Sequence, residues 1–169
     1  MKKYFFFYFI TPLFLFANTA SLSKPQNVKA DLITVIKSER KMYLSNKGKI
    51  LKTYKIALGG NPVGAKKVLG DQKTPEGYYR LDYLKSNSSF YKALHVSYPN
   101  RKDCANARKA GKSPGGAIMI HGQPNNQGWV KSFFKQRSDW TAGCIALYNS
   151  DMDEVLKFVK VGIPILIKP

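Results

Sequence analysis

The sequence predicts a mainly β domain with a few helices, an α+β arrangement, on three observations. Apolar and polar residues alternate with period two from Asp31 to Gly60, the mark of half-buried strands. Further strand-like runs recur at Tyr78 to Leu84, Phe90 to Tyr98, Ala117 to Ile120 and Ile163 to Ile167. Helical character is confined to Arg101 to Ala110 and to the stretch after Asn149.

Taken in order, the chain opens with Met1-Lys2-Lys3, an apolar run from Tyr4 to Phe16 and small residues around Ala17 to Ala20. This is the layout of a secretory signal peptide, residues 1–20, cleaved after Ala17 or Ala20. Its apolar run is shorter than the roughly twenty residues a spanning helix needs. Residues 21–30, with Pro25, read as a polar leader, and residues 31–169 as one domain with a single core. The mature protein is expected in the periplasm or cell envelope with no stable membrane span.

Leu32 to Ile36 and Ile50 to Leu58 read as consecutive antiparallel strands, with Asn46-Lys47-Gly48 as the tight turn between the runs. Tyr78 to Leu84 and Phe90 to Tyr98 follow, parted by the turn formers Ser86-Asn87-Ser88, so the front half is expected to be a β-meander. Gly59 to Gly77, rich in Gly and Pro, is too long for an idle hairpin loop and is expected beside a cleft. In the C-terminal helix Asn149 or Ser150 is the cap candidate. Asp151, Asp153 and Glu154 are expected in its first turn, and Val155, Leu156, Phe158 and Val159 form its apolar stripe.

The composition is strongly basic, with 28 Lys and Arg against 10 Asp and Glu and a formal charge of +18. Outside the cytoplasm such a surface meets anionic cell-wall polymer and lipid head groups, so nucleic acid is not the expected partner. A solvated surface that keeps the protein soluble is the plainer reading of the same charge.

Two cysteines, Cys104 and Cys144, in an exported chain point first to a disulfide. Their surroundings argue otherwise. His121 stands at the exit of an apolar strand, followed by Gly122, and Cys144 lies in Thr141-Ala142-Gly143-Cys144-Ile145-Ala146-Leu147. A thiol nucleophile needs a base to make thiolate and donors where an oxyanion will form. This pair offers a nucleophile and a base, and small residues around the sulfur let a carbonyl approach the backbone.

The strand ending in His121-Gly122, then Thr141-Ala142-Gly143-Cys144, together with Gly70-Asp71-Gln72-Lys73-Thr74-Pro75-Glu76-Gly77, resembles the L,D-transpeptidase catalytic-domain family. The similarity spans about Asp31 to Lys168. It implies a β-rich fold with a cleft in which Cys144 attacks the carbonyl of the third residue of a peptidoglycan stem and His121 relays the proton. Gly143 and Cys144 N–H groups would hold the oxyanion, the Gly122 carbonyl would orient the imidazole, and Thr141 belongs to the same loop. No cofactor and no metal is implied. Cross-linking members commonly carry His and Arg where this chain has Ala142 and Ala146. His95-Val96-Ser97-Tyr98-Pro99-Asn100 and Ser113-Pro114-Gly115-Gly116 resemble a branch with members that hydrolyse a bond between peptidoglycan and a lipoprotein.

His95, Tyr98 and Arg137 are the substrate-binding candidates. His95 shares a strand face with Tyr91, Ala93 and Ser97, opposite the apolar face of Leu94, Val96 and Tyr98. The alternatives to acyl transfer are a hydrolase of the same bond type and, in another class, a non-catalytic basic wall-binding module with a Cys104–Cys144 disulfide.

Overall fold

The structure is a computed structural model that describes Met1, residues 28–126, Gly128 and residues 138–169. The expected signal peptide apart from Met1, most of the expected polar leader and Arg137 therefore lie outside the described residues.

The amino-terminal alternation becomes three antiparallel strands, β1 (Leu32–Ile36), β2 (Lys41–Asn46) and β3 (Lys49–Lys55). Lys47 and Gly48 join the last two with positive φ of 48° and 78°, the twist that two-residue hairpin turns require. Period-two burial puts Ile33, Val35, Met42 and Leu44 in the core. β4 (Gly77–Ser88) and β5 (Tyr91–Val96) form a second hairpin, followed by α1 (Arg101–Lys109), β6 (Met119–His121), β7 (Ile145–Ala146), α2 (Asn149–Phe158) and β8 (Pro164–Lys168).

The described strands make one mixed sheet in the order β3-β2-β1-β8-β4-β5-β6-β7. The expected front-half meander is therefore interrupted. β8 inserts between β1 and β4, parallel to β1 through Ile33↔Ile165 and Val35↔Ile167 and antiparallel to β4 through Tyr79↔Ile165. Its burial alternates, with Ile165 and Ile167 in the core and Pro164 and Leu166 half-buried. At the far edge β7 pairs parallel to β6 through Ile120↔Ile145 and His121↔Ala146. Ala57, just after β3, exchanges hydrogen bonds of 2.8 and 2.9 Å with Ala146. That exchange brings the two outer edges of the sheet together.

Three local expectations shift. Ser86, Asn87 and Ser88 lie within β4, and the turn falls at Ser89 and Phe90, where Ser88 Oγ accepts the Phe90 N–H at 3.0 Å. Irregular pairing near Leu81 to Ser88 carries the strand past its polar residues. The cap of α2 is Tyr148, without a side-chain bond, and the side chain of Asn149 is engaged elsewhere, its Oδ1 accepting the Gln123 N–H at 2.8 Å. Only Asp151 falls in the first turn. Asp153 binds Tyr91 and Lys92, and Glu154 binds Lys52 and Tyr54. The core-facing residues of α2 are Met152 and Val155, with Leu156 and Phe158 packed partly buried beside them.

α1 forms where expected, with a capping box in which Asn100 and Asp103 bond each other's backbone N–H at 3.0 and 2.9 Å. Cys104 in α1 and Cys144 are both free thiols, which removes the disulfide on which the structural-module alternative rested.

Candidate active site

His121 ends β6 and Cys144 immediately precedes β7, so the parallel pairing of these two short strands, with His121 opposite Ala146, sets the two side chains on one face of the sheet. Both line a cavity of about 420 Å³ that also touches Lys85, Ser88, Phe90, Ala93, Met119 and Trp140.

The His121 ring is buried and its Nδ1 lies 2.6 Å from the Gly122 carbonyl oxygen. A carbonyl only accepts, so the ring hydrogen sits on Nδ1 and Nε2 carries the lone pair. Burial pushes the imidazole pKa below its ordinary value, partly offset by the Gly122 carbonyl. Phe90 tilts against the ring at a centroid distance of 4.7 Å, and Trp140 meets it edge-on at 5.7 Å. Gly122 has no room for a side chain: a Cβ there would stand 2.5 Å from Asn149 Oδ1 and 2.8 Å from Tyr91 Cβ.

Cys144 is half-buried. Its thiol faces the Ala117 carbonyl at 3.5 Å, and the sulfur accepts the Met119 N–H at 3.4 Å. Burial raises the thiol pKa, with the Met119 N–H and the charge of Lys66 pulling the other way. The resting pair is therefore a neutral thiol beside a neutral imidazole. Thiolate must be made by proton transfer to His121 as attack begins.

The loop that carries the sulfur is held from three sides. Thr141 Oγ1 donates to the Cys144 carbonyl at 2.8 Å and accepts the Gly143 N–H at 3.1 Å. The Gly143 donor, expected at an oxyanion, is thus turned on to Thr141, and the Cys144 N–H remains of that expected pair. Asp139 anchors the loop's start, taking Arg40 Nη2 at 2.7 Å and the Leu58 N–H at 3.0 Å. From behind, Gly143 at φ +129° packs so closely that a Cβ would stand 2.5 Å from the Lys73 carbonyl oxygen. Only glycine fits there.

Lys73 belongs to the Gly59 to Gly77 segment, which backs the Cys loop and contributes none of the described cavity lining. Asp71 organises it: its carboxylate accepts the N–H groups of Lys67, Val68 and Lys73 and pairs with Lys66 Nζ at 2.8 Å. Burial raises the Asp71 pKa, but these donors outweigh it and hold the carboxyl at about 2. The buried Lys37 ties the same segment to β1 through Glu76 and the Gly64 carbonyl, both at 2.7 Å.

The other candidates stand apart from the pair. His95 lies farther along the β5 face that carries Ala93, 2.6 Å from Asp82 and stacked on Tyr83 at 4.6 Å, outside the cavity lining. Tyr98 is buried, with its hydroxyl donating to the Pro114 carbonyl at 3.0 Å. Sequence reasoning missed Phe90, Trp140, Lys85 and the Met119 N–H. Among the described residues no group of three or more His, Cys, Asp or Glu side chains is placed to hold a metal ion.

Comparison with known proteins bears on the family and the fold. The L,D-transpeptidase catalytic domain family (YkuD) matches residues 30–167. YafK of Escherichia coli (strain K12), whose L,D-transpeptidase designation is itself provisional, is 31% identical over 133 residues, 75% of this chain and 46% of YafK. The helical cell shape determining protein Pgp2 of Campylobacter jejuni superposes with a TM-score of 0.60 at 27% identity, covering 84% of this chain and 49% of Pgp2. An L,D-transpeptidase from Mycobacterium smegmatis shares the fold, with a TM-score of 0.53 at 18% identity over 83% of this chain and 59% of that one. The chain spans about half the length of YafK and Pgp2.

Proposed function

The chain belongs to the L,D-transpeptidase catalytic-domain family, and on that premise we propose that Cys144 forms a thioester with the peptidoglycan stem peptide at its L,D bond. The observation that carries the reading is the imidazole of His121, whose Nδ1 is committed to the Gly122 carbonyl and whose Nε2 is left to serve a thiol in the same cavity. Nε2 takes the thiol proton as sulfur attacks the carbonyl of the third stem residue. The oxyanion that forms is met by the Cys144 N–H, and His121 then passes its proton to the leaving amine as the C–N bond breaks. An amine from a second stem, or water, attacks the thioester and restores the thiol.

Water as acceptor has an observation in its favour. Ala142 lines the cavity with no more than a methyl group, and Ala146 is fully buried in the β7 ladder. The polar side chains that cross-linking relatives commonly carry at those positions are absent, and that departure is the ground for favouring hydrolysis. If the signal-like amino terminus directs export, as its sequence suggests, this work takes place in the periplasm or cell envelope. No helix of the described residues is long and apolar enough to cross a membrane.

The test is incubation of the purified protein with defined stem tetrapeptides and resolution of the products by mass. Cross-linked dimers identify amine as acceptor, and shortened stems identify water. Cys144→Ala should abolish turnover with the fold intact, because the exchange removes the nucleophile and little volume. Residual activity near that of the unaltered protein would refute the assignment.

A further inference from the structure

The cavity around Cys144 and His121 has a charged end that the acyl-transfer chemistry does not use. Lys85 lines it, and among the described lining residues it is the one with a permanent charge. Sheet register fixes its place. Lys85 pairs with Ala93 across β4 and β5, and Ala93 pairs with His121 across β5 and β6. The three side chains thus stand in one row on one face. The outer two backbones are about 10 Å apart by the usual strand spacing. Ala93 between them fills little of that gap.

No carboxylate of the protein neutralises this lysine. All ten acidic residues of the chain lie among the described residues, and none makes an ion pair with Lys85. Asp71 holds Lys66, Glu76 holds Lys37, Asp139 holds Arg40, Asp153 holds Lys92, Glu154 holds Lys52 and Asp82 holds His95. The cleft therefore presents an unpaired cation on the imidazole's side, flanked by the hydroxyl residues Ser88 and Ser89.

The imidazole's side is where the leaving amine receives its proton. Resting on the thioester reading of the site, we propose that Lys85 binds the free α-carboxylate of the residue expelled as that amine. Lys85 is then a specificity-determining residue that reads the charge of the leaving group. An anion there is matched by charge. A neutral group, or a chain that continues, forgoes the contact.

The experiment compares two stem tetrapeptides, one ending in a free carboxylate and one in the carboxamide, with the unaltered protein, Lys85→Gln and Lys85→Arg. Unchanged thermal unfolding midpoints check that the variants fold. The unaltered protein should favour the acid by about 10-fold or more in kcat/KM, the scale of a hydrogen bond to a charged group. That preference should collapse toward one in Lys85→Gln, chiefly through KM, and survive in Lys85→Arg. Equal treatment of the two peptides by the unaltered protein, or a preference that survives in Lys85→Gln, overturns the assignment of Lys85 alone. Failure of the unaltered protein to turn over either peptide while Cys144 still alkylates overturns the reading of function, and this inference with it.

Discussion

At Cys144 and His121 the decisive fact is that both groups are neutral at rest. Burial lowers the imidazole pKa from 6.5 and raises the thiol pKa from 9.0, so neither proton moves until a carbonyl arrives. The imidazole acts as base only when unprotonated, so activity is present above its lowered pKa and lost as pH falls through it. In a pH profile of kcat/KM the acid limb should therefore have its midpoint below 6.5. A midpoint above 6.5 would mean that an anion stabilises the imidazolium. His121→Ala should lower turnover by orders of magnitude and leave a thiol that alkylates sluggishly near neutral pH, since its thiolate is no longer promoted. Unchanged alkylation would show that another group activates the sulfur. Each residue alone leaves only a weak local trace, and the sequence singled them out through their combination and through the resemblance of His121-Gly122 and Thr141-Ala142-Gly143-Cys144 to a family pattern. Phe90 and Trp140 were not singled out. Their contact with the ring joins positions 90, 121 and 140, and no local pattern encodes a meeting of three distant segments.

The elements around the pair work as a clamp. Thr141 bridges the Gly143 N–H and the Cys144 carbonyl, so its hydroxyl sets the turn that aims the sulfur. Thr141→Val keeps the shape and deletes both bonds, which should cost about 1 to 3 kcal/mol of positioning and lower kcat roughly 10- to 100-fold. Thr141→Ser should retain most activity, and equal damage in the two variants would point to the methyl group instead. Behind the loop, Asp71 stabilises its segment by a depressed pKa. Its contribution is complete above the ordinary carboxyl value of 3.8 and is lost as pH falls through about 2. Asp71→Asn should reduce stability at neutral pH by about 2 kcal/mol in urea unfolding and flatten the acid dependence between those two values. A variant that keeps the same acid dependence would assign the effect to another carboxyl. Strand and helix positions were largely readable from periodicity, but strand order was not. β8 joins β1 across most of the sequence, and two-residue β7 is too short to show a period of two. The turn displaced from Ser86 to Ser89 has the same origin, because irregular β4 pairing settles what turn composition alone leaves open.

For the molecule as a whole the asymmetry of charge is the dominant property. Most of the carboxylates are committed to internal contacts, so the surplus of 28 basic over 10 acidic side chains is left to face solvent and ligand. The surplus could be counted in the sequence, whereas its separation into a lysine in the cleft and lysines on the surface required the sheet register. Loss of Lys2 and Lys3 with a cleaved signal would leave +16. A domain of that charge gains encounter rate near a dense anionic wall, and salt screens the gain over about 8 to 10 Å at physiological strength. Co-sedimentation with intact sacculi should therefore weaken steadily as salt is raised. Turnover of a small soluble stem peptide depends on packing in the cleft and on the Lys85 contact, so it should fall much less over the same range. A parallel fall of both would assign the field to the active site, through Lys85. If neither responded, the basic residues would serve only as a solvated surface, and approach to the wall would be governed by diffusion and cleft contacts alone.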